Sequence, residues 1–225
     1  MALAAWSSAN GIPSAQPLDL VEHNGFLVLV LNVVEDDGSV LDTAALGLIV
    51  ARLHQLPLPE VDFIAQNGMP INLRIVGRLE KRYAELGKND LLPVLPGAAQ
   101  LLHDLDDNLG SARLTHLDLR RQNVRVVGGQ PQSIFDWSNA LGAAPELEIA
   151  RIEEYAAIDE NGLDYEAFLE GYAREGGTVA TDTPAWPILR LDTAVMPAVV
   201  FSSVAPIAQL KELFLARVKT LVKEL

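Results

Sequence analysis

Two aspartates, an asparagine and a histidine fall close together in LTHLDLRRQNVRVVGGQPQSIFDW, residues 114 to 137. A loop ending at Asn123 would enter a strand, and a returning strand would bring Asp136 back beside it. An asparagine oxygen and an aspartate oxygen on neighbouring strands suit a hard cation such as Mg²⁺, which takes few protein oxygens and keeps phosphate oxygens and water. Asp118, five residues before Asn123, would then stand where it could orient or deprotonate an attacking hydroxyl. Phosphoryl transfer asks for that arrangement, because it needs positioning and charge neutralisation more than covalent catalysis. A solvated loop between two strands would carry the same residue types.

The elements that must position these residues are legible around them. Residues 2 to 9 read as a helix stopped by NGIP, Asn10 to Pro13. PLDLVEH and GFLVLVLNVV, joined at Asn24-Gly25, read as a β-hairpin. From Asp42, an N-cap, Leu46, Ile49, Val50 and Leu53 fall on one helical face. Two more helices are expected to end at Gly87 and Gly110. Strands are expected near 123 to 127 and 132 to 135 about a Gly128-Gly129 turn. Beyond them only helices are expected, near 145 to 158, 164 to 174, 184 to 203 and 206 to 224. No linker or repeat divides the chain.

Composition narrows the classes of function. The 225 residues are nearly half apolar and hold no cysteine, so thiolate chemistry and disulfides are excluded. Seventeen basic residues against thirty acidic ones give a net charge of −13, which disfavours a nucleic-acid partner. The same charge is compatible with a cationic substrate, and equally with simple solubility. No uninterrupted apolar run reaches the roughly 18 residues of a membrane span, and MALAAWSSANGIP does not read as a leader. A cytoplasmic protein with no membrane partner is the expectation.

HLDLRRQN followed by IFDW resembles the catalytic and metal-binding segments of the aminoglycoside phosphotransferase and choline kinase superfamily, relatives of the protein kinases. Their usual pattern is H-G-D-L-H-x-x-N, a hairpin, then I-D-W or a near variant. AALGLIVARLHQLPLP and APELEIARIEEY resemble that family's helix after the hinge and its segment after the metal-binding aspartate. The resemblance implies an α+β, mainly helical fold: a protein-kinase-like C-terminal lobe with a truncated, β-bearing N-terminal portion. Residues 1–34 would be the remnant of the N-terminal lobe and hinge. Residues 35–225 would be the helical lobe, with catalytic loop 114–123 and metal-binding hairpin 123–137.

The roles it implies fall on matching residues. Asp118 would be the catalytic base, with His116 fixing the catalytic loop. Asn123 and Asp136 would hold Mg²⁺. The backbone of Leu31, Asn32 and Val33 would meet the base of ATP or GTP. Acidic residues after the metal aspartate, Asp159, Glu160 and Asp164 with Glu153, Glu154 and Glu166, would either face a small acceptor, their charge density suiting a cationic one, or form an ordinary helix-loop-helix surface. The resemblance does not name the acceptor.

Two departures from the pattern carry consequences. Leu117 stands where the family has glycine, which implies a strained or shifted loop, and Arg120 and Arg121 replace a histidine and a small residue or proline. No Gly-rich strand-turn-strand precedes the hinge, and the first lysine is Lys81. Without a phosphate-gripping loop and lysine, several kcal/mol of transition-state stabilisation would be lost. The sequence therefore carries two expectations: a small-molecule phosphotransferase with slow or absent turnover, or a catalytically inactive kinase-like binding module. Apolar surface left open on the N-terminal strands would be covered by a homodimer or by a rearranged N-terminus.

Overall fold

The computed structural model describes residues 2–60, 68–88 and 91–225. Helices α1 (Ala2–Ala9), α2 (Thr43–Gln55), α3 (Ile71–Leu86), α4 (Ala98–Asn108), α5 (Pro145–Ala156), α6 (Tyr165–Arg174), α7 (Ala185–Val199) and α8 (Ala208–Glu224) account for nearly half of it, and short 3₁₀ and π turns bring the helical share above half. Three antiparallel strand pairs complete it: β1 (Pro17–His23) with β2 (Phe26–Leu31), β3 (Arg113–Thr115) with β6 (Leu141–Ala143), and β4 (Val124–Val127) with β5 (Gln130–Ile134). The fold is thus α+β and mainly helical, as expected. Its elements form two compact units, one drawn from Met1–Ala65, Ala112–Pro145 and Tyr155–Thr178, the other from Gln66–Ser111, Glu146–Glu154 and Val179–Leu225.

In the first unit, β1 and β2 meet at Asn24 (φ 51°) and Gly25 (φ 78°), the two left-handed positions of a tight hairpin turn. Both faces of this hairpin are open: Leu18, Leu20, Val21 and the β2 residues Phe26 to Val30 are exposed. The Asp42 side chain caps α2 by accepting from Ala45 N–H at 3.1 Å, and Leu46, Ile49, Val50 and Leu53 are buried. α2 packs on α6 at backbone contact. A Cβ at Gly47 would meet Phe168 O at 2.1 Å, and one at Gly171 would meet Ala44 O at 1.8 Å, so only glycine fits either position. His54 Nδ1 and the Tyr172 hydroxyl, 2.9 Å apart, join the same two helices in their buried seam.

The second unit is built on α7, which packs against α3, α4 and α8. Several of its buried charges are paired. Arg78 forks onto buried Asp192, with Nε to Oδ1 at 2.8 Å. Fully buried Glu154 accepts from Arg190 Nε at 2.8 Å and Arg217 Nε at 2.9 Å, and Glu153 takes Arg190 Nη2 at 2.8 Å. Residues Ala185–Val204, α7 and its π-helical continuation, are long and apolar enough to cross a membrane by length and composition. Arg190 and Asp192 interrupt the apolar run, and half of that window is buried in the protein.

The structure corrects three sequence expectations. β6 lies where only helices were expected, and its partner β3 was read as loop; three-residue strands are too short to show alternation. α4 closes at Leu109 rather than Gly110. Gly87 does cap α3, but with right-handed φ (−63°), so its left-handed freedom is not what ends that helix.

Candidate active site

The site lies within the first unit. β3 delivers the chain into the loop, held by its ladder to β6 and by the Thr115 hydroxyl donating to Leu141 O at 2.9 Å. His116 follows and is fully buried. Its Nε2 lies 2.7 Å from Phe135 O; a carbonyl only accepts, so Nε2 carries the proton. That leaves Nδ1 to accept from Asp118 N–H at 3.3 Å. The imidazole therefore ties the loop that carries Asp118 to the end of β5, and the His116 and Trp137 rings meet edge to face with centroids 4.8 Å apart. Trp137 in turn donates from Nε1 to Ser14 Oγ at 3.2 Å.

Leu117 takes a left-handed backbone (φ 62°) and is 3% exposed. The loop thus keeps the turn that a glycine would make easily, with a buried leucine in its place. Asp118, nearly buried, is oriented by Asn123, whose Nδ2 donates to Asp118 O at 2.8 Å and Oδ2 at 2.9 Å. The Arg120 guanidinium faces the same carboxylate, with Nε 3.2 Å from Oδ1 and Nη2 donating to Oδ2 at 3.3 Å.

A single 3₁₀ turn, Arg121–Asn123, leads into β4. Phe135 N–H then donates to Asn123 O at 2.8 Å, closing the hairpin beside the loop. Asp136 also has left-handed φ (57°), which aspartate tolerates better than most residues. The Ser138 hydroxyl and N–H, with Arg120 nearby, hold its carboxyl below the ordinary range against some desolvation. Asn123 Oδ1 and the ionised Asp136 carboxylate are oxygens of the kind a hard cation takes. Among the described residues no cluster of three or more His or acidic side chains forms an all-protein metal cage.

In the segment expected to form the hinge, Asn32 N–H donates to Gln16 O at 3.0 Å and its Oδ1 accepts from Gln16 N–H at 2.6 Å, while Val33 is 93% exposed. The acidic candidates separate. Asp159 and Glu160 lie exposed on a 3₁₀ turn, Asp159–Asn161, which Gln122 holds to the catalytic loop by donating to Glu160 O at 2.6 Å. Asp164 caps α6, accepting from Ala167 N–H at 3.0 Å. Glu153 and Glu154 belong to the second unit and are spent on Arg190 and Arg217.

One feature was missed at the sequence level. Arg121 forks onto Asp36 at 2.7 and 3.0 Å, joining the segment after the hinge to the loop. EDDGS reads locally as no more than a strand break, so no signal in the sequence pairs it with Arg121.

A loop of this geometry, set between a short strand pair and a hairpin ending in Asp136, places the chain among the kinase-like phosphotransferases. The family model described as the phosphotransferase enzyme family matches residues 1–190, and the chain belongs to that family. Solved structures share its fold at low identity. A protein of Ralstonia eutropha JMP134 assigned to the aminoglycoside phosphotransferases is 16% identical with a TM-score of 0.61, the alignment covering 98% of this chain and 79% of the other. A thermostable mutant of aminoglycoside phosphotransferase APH(4)-Ia, in ternary complex with ADP and hygromycin B, is 14% identical with a TM-score of 0.66, over 98% and 81%. Aminoglycoside-3'-phosphotransferase of type VIII is 20% identical with a TM-score of 0.52, over 85% and 78%. No curated protein matches the chain.

Proposed function

We propose that this chain transfers the γ-phosphoryl group of ATP or GTP to a hydroxyl of a small, cationic acceptor. The observation that carries the reading is the geometry of Asp118. Its backbone is fixed by buried His116 and its carboxylate is oriented by Asn123, beside a hairpin that ends in an ionised Asp136. Asp118 accepts the acceptor's proton as the hydroxyl oxygen bonds to phosphorus and the bond to the leaving nucleoside diphosphate breaks. Asn123 and Asp136 would hold Mg²⁺, which when bound neutralises phosphate charge. With Asn32 N–H engaged by Gln16, contact with the base falls to the backbone of Leu31 and Val33. Asp159 and Glu160, exposed on the turn held by Gln122, are the carboxylates placed to attract a cationic acceptor, whereas Asp164 acts as a helix cap.

Turnover with Mg–ATP across a panel of amino sugars and other cationic alcohols tests this reading. A product formed by the native chain and lost at least a hundredfold in Asp118→Asn supports it. Nucleotide binding without transfer to any acceptor would favour an inactive binding module. We also infer that the open β1–β2 hairpin pairs with a second copy, since an uncharged apolar edge such as FLVLVL is a template for strand pairing. Sedimentation should show a dimer that Leu27→Lys converts to monomer; a monomeric native chain would refute it.

A further inference from the structure

The segment between the hinge and α2 does more than connect them. Arg121 donates to Asp36 through Nη2 at 2.7 Å and Nη1 at 3.0 Å, and the same guanidinium reaches Val124 O at 2.8 Å and Ser39 O at 3.4 Å. Asp36 Oδ2 also accepts from Val126 N–H at 3.3 Å, and Arg125 Nη1 stands 3.8 Å from it. Asp37 N–H donates to Val126 O at 3.0 Å, while its carboxylate accepts from Gly128 N–H at 2.8 Å. Ser39 Oγ accepts from Gly129 N–H at 2.9 Å. Among the described residues, every hydrogen bond leaving 36–39 ends between Arg121 and Gly129. The hydrogen bond from Arg121 holds the Asp36 carboxyl well below the usual carboxylate range, so the pair is ionised at neutral pH.

Two ends of the candidate nucleotide site meet here. The hinge, Leu31–Val33, ends an exposed hairpin whose own packing restrains it little. The catalytic loop and the β4–β5 hairpin carry Asp118, Asn123 and Asp136. We propose that the Asp36–Arg121 clasp is a positioning device that fixes the hinge relative to the metal-binding hairpin, so that one nucleotide engages both. It rests on the nucleotide reading above. A bidentate guanidinium–carboxylate pair suits this role because its two parallel bonds set direction as well as distance. Holding both half-sites in register makes their binding energies additive within one ligand; a register error of about 1 Å can cost on the order of a hundredfold.

The test compares three ligands, adenosine, Mg–triphosphate and Mg–ATP, by thermal shift at up to millimolar concentration. The proteins are the native chain, Asp36→Asn, Arg121→Lys and Asp37→Ala, the last trimming an exposed bond of the same segment. The clasp predicts that Asp36→Asn and Arg121→Lys bind Mg–ATP on the order of tenfold more weakly, with adenosine and Mg–triphosphate unchanged. Asp37→Ala should lose less, in the same direction. Unchanged Mg–ATP binding in all variants, or equal weakening of all three ligands, overturns the proposal and leaves the nucleotide reading standing. A native chain that binds none of the three overturns both.

Discussion

Leu117 shows what its position asks of a side chain. A left-handed backbone costs an L-residue about 1–2 kcal/mol, and burying leucine returns about 2–5 kcal/mol relative to alanine. Packing wins, which explains why leucine is tolerated where the resembling family has glycine. Leu117→Ala keeps the strain and loses the packing; Leu117→Gly loses both. Urea unfolding should therefore find Leu117→Gly less destabilised than Leu117→Ala by about 1 kcal/mol, the reverse of the usual order; the usual order would show that the turn is not strained. Asp118, Asn123 and Asp136 were legible in the sequence because their types and spacing lie within one local stretch. The Asp36–Arg121 pair was not, because it joins residues 85 apart in the chain, each of which reads alone as turn or basic surface. Asp164 read as part of an acidic cluster until its bond to Ala167 N–H gave it a cap's role.

At the level of elements, periodicity and caps placed the eight α-helices found among the described residues, since a stripe such as Leu46, Ile49, Val50 and Leu53 survives any tertiary arrangement. Pairing left no such trace: β3 and β6 find each other only in the fold. The α2–α6 seam has its own requirement, that Gly47 and Gly171 leave room for backbone on backbone. At Gly171 a methyl would overlap the Ala44 carbonyl, which cannot swing aside without breaking α2. Gly171→Ala should lower stability by about 3 kcal/mol or more, beyond ordinary overpacking, with Gly77→Ala, whose Cβ meets open space, as control. Equal behaviour of the two variants would mean that the helices separate at little cost.

For the whole molecule, surplus acid is the dominant composition feature, yet its most buried carboxylates are not surface charge. Burial pushes Glu154 up to about 7 against the pull of Arg217. A folded value above the unfolded one means that the Glu154 contribution to stability is fullest below about pH 4.5 and declines as pH rises through 7. The decline should reach at most about 3 kcal/mol. Glu154→Gln changes absolute stability by disturbing Arg190 and Arg217, so the slope is the informative readout: it should flatten in the variant. An unchanged slope would assign the titration elsewhere.

The proposed metal–nucleotide site at Asp136 and Asn123 would be read out by thermal unfolding with and without saturating Mg–ATP. Asp136→Asn is the suitable partner protein, because asparagine tolerates the left-handed backbone while removing the charge. Ligand at about 100 times its dissociation constant adds about 2.7 kcal/mol to the folded state, a rise of roughly 5–10 °C for a chain of this size. The native protein should show that rise and Asp136→Asn should lose it. An equal rise in both proteins, or none in the native chain, would contradict it.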